Sequence, residues 1–181
     1  MTQMDVFILV VDILNRLEIP YMLTGAYAVS FYGKIRNTHD IDLMISISRP
    51  AAEKIHNAFK ASFYVDEEMI KEAINRVRMF NIIHNETQTK IDFWLVGDDE
   101  FGREEFGRRK KALISNTAVF VPTPEDLIIT KLSWYKKSRL QKHLEDARGI
   151  CEVQSGSLDL VYINKWAARF SLKNLLKEIF T

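Results

Sequence analysis

The sequence predicts an α+β fold, with helices and strands mixed as far as Pro122 and helices alone beyond it. Two observations carry this. Ile41, Leu43 and Ile45, and likewise Ile91, Phe93 and Leu95, alternate with other residues at the period of a strand that is buried on one face. After Pro122-Thr123-Pro124, the one clear domain punctuation, the apolar residues follow the helical period instead. A mixed core followed by a helical run is the pattern of α+β chains. The expected domains are residues 1–122, the core, and 123–181, a C-terminal helical module.

Taken in order, residues 3–18 read as an amphipathic helix with Phe7, Val10, Leu14 and Leu17 on one stripe. Ile19 to Leu23 is a short strand with Pro20 at its start, where a missing N–H is tolerated. Thr24-Gly25 turns the chain into a short helix, Ala26 to Gly33, and the strand of Ile41, Leu43 and Ile45 follows. Pro50 sits near the first position of the next helix, which runs to Ala61 and buries Ile55, Ala58 and Phe59. Phe63-Tyr64-Val65 is a short strand, and Asp66 is placed to cap a helix from Glu67 to Asn75. Residues 78–84 and 90–96 form a hairpin across the polar loop Asn85-Glu86-Thr87-Gln88. Asp98 to Arg109 is a charged helix or a lid-like segment, weakened by Gly102 and Gly107. Residues 111–114 and 117–121 are strands joined by Ser115-Asn116, and helices are expected at 124–137, 140–153, 157–169 and 171–180.

A chain of 181 residues can bury a sizeable core. Its 47% hydrophobic and 27% charged residues are ordinary for a globular protein. A formal net charge of +1 provides no global field toward nucleic acid or membrane. The single cysteine, Cys151, excludes an intrachain disulfide framework and a cysteine zinc cluster. The apolar run Val6 to Val11 is short and flanked by Asp5 and Asp12, unlike a signal peptide. No stretch approaches the ~20 apolar residues that span a bilayer. A cytoplasmic protein without a membrane partner is the expectation.

Asp40 and Asp42 interrupt the apolar alternation of their strand, so both carboxylates stand on the face away from the core. Two like charges so close repel unless a cation lies between them. The pair suits a hard divalent ion such as Mg²⁺, which one or two carboxylates and substrate phosphates typically hold. The other reading is a strand with one face in water. Asp92 shows the same alternation, sharing a face with Lys90 and Trp94. If the two strands lie side by side in register, three carboxylates meet and can hold two ions roughly 3.5–4 Å apart for displacement at phosphorus. Otherwise Asp92 is a solvated strand residue. Ahead of the pair, Thr24-Gly25 leads into a helix N-terminus whose free N–H groups attract phosphate, or is a simple strand-to-helix turn.

Gly25, then Arg36-x-Thr38-x-Asp40-x-Asp42, then Lys90-Ile91-Asp92 resembles the nucleotidyltransferase fold of the DNA polymerase beta superfamily. Pro124 to Lys131, Arg139, and His143-Leu144-Glu145-Asp146-Ala147 resemble later motifs of the AbiEii/AbiGii-type nucleotidyltransferases, which include toxins of bacterial toxin–antitoxin systems. The resemblance implies a mixed β-sheet flanked by helices, with the core as the catalytic part. It implies metal-dependent transfer of NMP from an NTP such as ATP to a hydroxyl, with release of pyrophosphate. Asp40 and Asp42 would bind two Mg²⁺ ions, or Mn²⁺; Asp92 would complete the second site and help deprotonate the acceptor. Gly25 and Ala26 would cradle the phosphates, Arg36, Thr38 and Lys131 would balance their charge, and Asp146 would orient Lys131. The acceptor is a tRNA or other RNA end, a protein or a small molecule, and an antitoxin is a further partner. The superfamily turn usually reads Gly-Gly or Gly-Ser; Ala26 keeps only its backbone N–H. That departure favours the alternative, a nucleotide- or partner-binding module without turnover, which the three aspartates oppose.

Read on their own residue types, several of these positions have plainer roles. Lys131, amid Leu127, Ile128 and Leu132, points to solvent or snorkels. Arg36 is a loop arginine, Arg139 a surface charge near a helix end, and Asp146 a local partner of His143. Arg108-Arg109-Lys110-Lys111 is a solvated patch or steers a polyanion such as RNA. Trp134, Tyr135 and Trp166 are expected in the core rather than as stacking platforms.

Overall fold

The computed structural model describes residues 1–180. Thr2 starts the first helix, α1 (Gln3–Arg16), with a reciprocal cap: its hydroxyl accepts the Asp5 N–H while its own N–H donates to the Asp5 carboxylate. Phe7, Val10 and Leu14 are buried as the stripe predicts, whereas Leu17 is the C-cap and only partly covered. There follow β1 (Tyr21–Leu23), α2 (Gly25–Tyr32), β2 (Asp40–Ile45), α3 (Ala51–Phe59), β3 (Phe63–Tyr64) and α4 (Glu67–Arg76). Next come β4 (Met79–His84), β5 (Lys90–Leu95), α5 (Glu100–Gly107), β6 (Lys110–Ile114) and β7 (Thr117–Val121). The last elements are α6 (Pro124–Ser138), α7 (Gln141–Val153), α8 (Leu160–Arg169) and α9 (Lys173–Phe180). Differences from the sequence reading lie at element ends. The helix expected from 157 begins only at Leu160, where the Asp159 carboxylate accepts the Tyr162 N–H as a cap. The helix expected from 171 begins at Lys173, because Ser171 takes a φ of +55°. The segment after Asp98 is helical, capped by Asp99.

The main sheet has the order β1-β2-β5-β4-β3. β2 and β5 run parallel and the other neighbours antiparallel, so the sheet is mixed. One face is a core: Ile41, Leu43, Ile91 and Phe93 are fully covered. Phe93 packs with Phe59 at 6.0 Å and Phe80 at 5.0 Å between ring centroids. Leu95, expected on that face, is only partly buried; it lies at the end of β5, where β4 begins opposite Trp94 and the Leu95 N–H donates to the Arg78 carbonyl at 3.0 Å. β6 and β7 form a separate hairpin. Ser115 and Asn116 both take positive φ there, the geometry that suits a two-residue turn.

The basic run before this hairpin is not uniformly solvated. The Arg109 guanidinium lies 4.2 Å from the Phe106 ring centroid and 5.0 Å from that of Phe120, and its Nη1 donates to the Phe106 carbonyl. Two aromatic faces from α5 and β7 hold it by cation–π attraction. Burial lowers its pKa from the ordinary value.

The chain divides into two compact units, Met1–Gly25 with Thr38–Val121, and Ala26–Asn37 with the chain from Pro122 onward. The chain crosses between the units after Gly25, Asn37 and Val121, and Ala26–Asn37 joins the later helices. Within this second unit, the Gln154 side-chain amide donates to the Tyr32 carbonyl at 2.8 Å. Gly33 meets the Ile150 backbone so closely that a Cβ would come within 3.1 Å. The Thr123 hydroxyl accepts the Asp126 N–H and starts α6, while Tyr162 OH donates to Asp126 Oδ1 and ties α8 to α6. Trp166 is buried as expected, but Trp134 is 41% exposed, set beyond Leu132, the last fully covered residue of α6. Burial pushes the Cys151 thiol up to about 12, so it is not a reactive thiolate at neutral pH. No helix among the described residues is long and apolar enough to cross a membrane.

Candidate active site

In the first unit, β2 and β5 are paired so that Asp42 stands opposite Asp92 and Asp40 opposite Lys90. Side chains at laterally paired positions project from the same face of a sheet. Asp40, Asp42, Asp92 and Lys90 therefore share the face away from the Ile41–Phe93 core. Cover increases along this set: Asp40 is exposed, Asp42 partly buried and Asp92 only 7% exposed. Asp42 accepts a hydrogen bond from Trp94 Nε1 at 3.1 Å. Lys90 Nζ lies 2.8 Å from each carboxylate oxygen of Asp92. Burial disfavours the Lys90 charge, but its hydrogen bond to Asp92 and the charges of Asp92, Asp40 and Asp42 outweigh this and raise its pKa. Thr38 shapes the approach to β2: its hydroxyl donates to the Asp40 carbonyl at 3.0 Å and accepts the Asp40 N–H.

Gly25 answers two demands at once. Its φ is +64°, a left-handed conformation that glycine adopts without penalty. A Cβ there would fall 1.9 Å from Asp42 Oδ2. The turn is pinned to β2 by the Thr24 N–H, which donates to the Asp42 carbonyl at 2.9 Å. Only glycine lets the backbone at position 25 lie so close to this carboxylate. The Ala26 side chain is buried and offers no hydroxyl.

A divalent ion fits this donor set in part. Asp42 and Asp92, side by side, are hard oxygen donors of the number Mg²⁺ typically takes from protein, the remaining positions going to water and phosphate. Asp92 Oδ1 is buried and meets no donor in hydrogen-bonding geometry, its contact being the Lys90 ammonium at 2.8 Å. Among the described residues no three His, Cys, Asp or Glu side chains are gathered tightly enough to hold one ion. Asp92 is turned to Lys90 and Asp42 to Trp94.

The other expected site residues belong to the second unit. Arg36 Nη1 lies 2.7 Å and Lys131 Nζ 2.9 Å from the same Asp146 oxygen, Oδ2. Lys131 and Asp146 are each only 6% exposed, so Lys131 neither snorkels nor points into water. These three side chains carry one more positive than negative charge. Asp146 is thus a partner of both cations rather than a local partner of His143. His143 Nδ1 is buried without a hydrogen-bond partner. Burial, then Lys131 and Lys142, lower its pKa to about 4 against the opposing pull of Asp146. Its ring meets that of Trp134 edge-on at 5.5 Å. Arg139 caps α6 in a left-handed conformation, a surface position at a helix end.

Sequence reasoning assigned no role to Lys90 or Trp94. Their signal was available: both alternate in step with Asp92 and must share its face. What the alternation does not specify is that one would pair with Asp92 and the other reach Asp42.

Comparison with known proteins gives the following. The family model described as aminoglycoside-2''-adenylyltransferase matches residues 6–120. Among solved structures, ANT(2'')-Ia in complex with adenylyl-2''-tobramycin is 15% identical with a TM-score of 0.64, over 96% of this chain and 99% of that one. The lincomycin-bound lincosamide antibiotic adenylyltransferase LnuA is 10% identical with a TM-score of 0.55, over 84% and 98%. A nucleotidyltransferase-like protein from Paracoccidioides brasiliensis is 16% identical with a TM-score of 0.55, over 91% and 87%. A search of curated protein sequences found no match. These likenesses support the nucleotidyltransferase part of the resemblance and carry nothing for its AbiEii/AbiGii part. By the family match, which spans more than half its length, the chain belongs to the aminoglycoside-2''-adenylyltransferase family and is a nucleotidyltransferase.

Proposed function

We propose that this enzyme transfers NMP, and AMP from ATP in particular, to a hydroxyl of a small polyhydroxylated molecule of the aminoglycoside or lincosamide kind. The observation that carries this is the register of β2 and β5, which sets Asp42 beside Asp92, with Gly25 packed on Asp42. Family membership favours a small-molecule acceptor over an RNA end or a protein.

Asp92 takes the proton of the acceptor hydroxyl as that oxygen attacks the α-phosphorus. The bond from this phosphorus to the bridging oxygen breaks, and pyrophosphate leaves with the electron pair. One or two divalent ions, Mg²⁺ or Mn²⁺, held by Asp40, Asp42 and Asp92, would supply Lewis-acid stabilisation of the phosphoryl oxygens. Gly25 and Ala26 present the free N–H groups of the α2 N-terminus to phosphate. Thr38 holds the backbone at Asp40. Arg36 and Lys131 bind phosphate charge, and Asp146 orients both, which the shared Oδ2 contact supports. A cytoplasmic setting suits an NTP donor.

The test is label transfer from α-labelled ATP to a panel of aminoglycosides, lincosamides, tRNA and protein, with Mg²⁺ or with chelator. The expected outcome is label on an aminoglycoside or lincosamide, lost with chelator and with Asp42→Asn. Label on tRNA or protein would instead favour a toxin-type role with an antitoxin partner. Mg²⁺-dependent ATP binding without transfer to any acceptor would favour the non-catalytic module.

A further inference from the structure

The carboxylate face carries a cation of its own. Lys90 Nζ lies 2.8 Å from both oxygens of Asp92 and, by register, beside Asp40 as well. The two partners differ in freedom. The Asp92 side chain is 10% exposed and fixed on a central strand, whereas that of Lys90 is 36% exposed on a flexible stem. A buried carboxylate without a counter-charge is costly, so Asp92 needs a cation whether or not a metal is present. An ammonium is a compact point charge that can be exchanged for another cation, unlike a forked guanidinium. An ammonium and a divalent ion on one carboxylate repel, so each weakens the other's hold on Asp92. Lys90 hydrogen-bonds Asp92 Oδ2, whereas its 2.8 Å contact with Oδ1 is ionic only and lacks hydrogen-bonding geometry.

We propose that Lys90 is a resident counter-ion of the site: it neutralises Asp92 before the substrates arrive and withdraws toward solvent when divalent ion and nucleotide bind together. The inference rests on the nucleotidyl-transfer reading above. Its consequence is an order of loading. While Lys90 occupies Asp92, a metal alone binds weakly, and the phosphates of the incoming nucleotide tip the balance by offering Lys90 and the ion further negative charge. Lys90 is a positioning residue here, acting through Asp92.

The experiment measures Mn²⁺ binding by electron paramagnetic resonance in the absence of nucleotide, for the wild type, Lys90→Met, Lys90→Gln and each combined with Asp42→Asn. Removing the ammonium should tighten Mn²⁺ binding roughly tenfold or more, the size of effect a single charge has on a neighbouring ionic equilibrium. Asp42→Asn should abolish the gain, and a non-hydrolysable ATP analogue should narrow the difference between wild type and Lys90→Met. Folded Lys90→Met and Lys90→Gln proteins that bind Mn²⁺ no more tightly than wild type overturn the proposal and leave a structural ion pair. Loss of folding in both variants, with Mn²⁺ present, also overturns it. If Asp42→Asn leaves Mn²⁺ binding unchanged in every background, the metal reading itself fails and this proposal with it. If Asp42→Asn abolishes binding but the Lys90 variants gain nothing, only the Lys90 inference fails.

Discussion

At Gly25 a single added methyl group would meet a carboxylate oxygen and a disfavoured backbone at once. The backbone part alone costs about 1–2 kcal/mol for an L-residue held in the left-handed region. Gly25→Ala should therefore lower the unfolding free energy measured in urea by at least that amount and reduce transfer more steeply than it reduces stability, because Asp42 must move. Equal losses in the two assays would mean that Asp42 is not near the chemistry. Lys131 is the second residue on which the functional reading turns. Lys131→Ala should weaken ATP binding or turnover by about 1.5–3 kcal/mol, the worth of a charge-assisted hydrogen bond. Lys131→Arg should lose less, and circular dichroism should show both variants folded. Unchanged Mg²⁺-dependent ATP affinity and turnover in Lys131→Ala would remove the α6 lysine from the site.

At the scale of elements, β2 and β5 work because their register is unambiguous. Slipping either strand by one residue would turn its isoleucines outward and its aspartates into the core, so burial of one face enforces alignment on the other. The contact of α6 with α7 carries a pH-sensitive group, His143, faced by Trp134 and Lys131 from α6 and by Lys142 and Asp146 on its own helix, with Arg36 adding positive charge. Its folded-state pKa is about 4 against an ordinary 6.5, burial being the largest cause. The unfolded chain thus takes up this proton first. The stabilising contribution of neutral His143 is whole above pH 6.5 and is lost as the pH falls through 4. The loss is at most about 3 kcal/mol. Urea unfolding between about pH 7 and about pH 4 should show this decline in wild type and a flatter profile in His143→Gln. Identical profiles would show that His143 ionises freely in the folded protein.

For the whole molecule, the three crossings of the chain between units make Ala26–Asn37 depend on residues far away in sequence. α2 is held through Gly33 against Ile150 and Tyr32 to Gln154, and the following loop through Arg36 to Asp146. A fragment ending at residue 122 lacks these partners. Hydrogen exchange on that fragment should show the amides of residues 26–37 exchanging freely while those of β2 and β5 remain protected. Equal protection in the fragment and the full chain would mean that α2 is held by the first unit. The sequence alone determined the elements and the face on which Asp40, Asp42 and Asp92 stand. These follow from local rules: the alternation of strand side chains and helix capping, whereas the demand for glycine at position 25 came from its φ and from Asp42. Tertiary structure alone decided that β2 and β5 are parallel neighbours, that Lys90 and Trp94 engage Asp92 and Asp42, and that Asp146 gathers Arg36 with Lys131. Apart from Lys90 and Asp92, which stand two positions apart on one strand face, those contacts join partners 15 to 110 positions apart. No periodicity encodes such pairings, because they depend on which buried surfaces pack together once the strands and helices have formed.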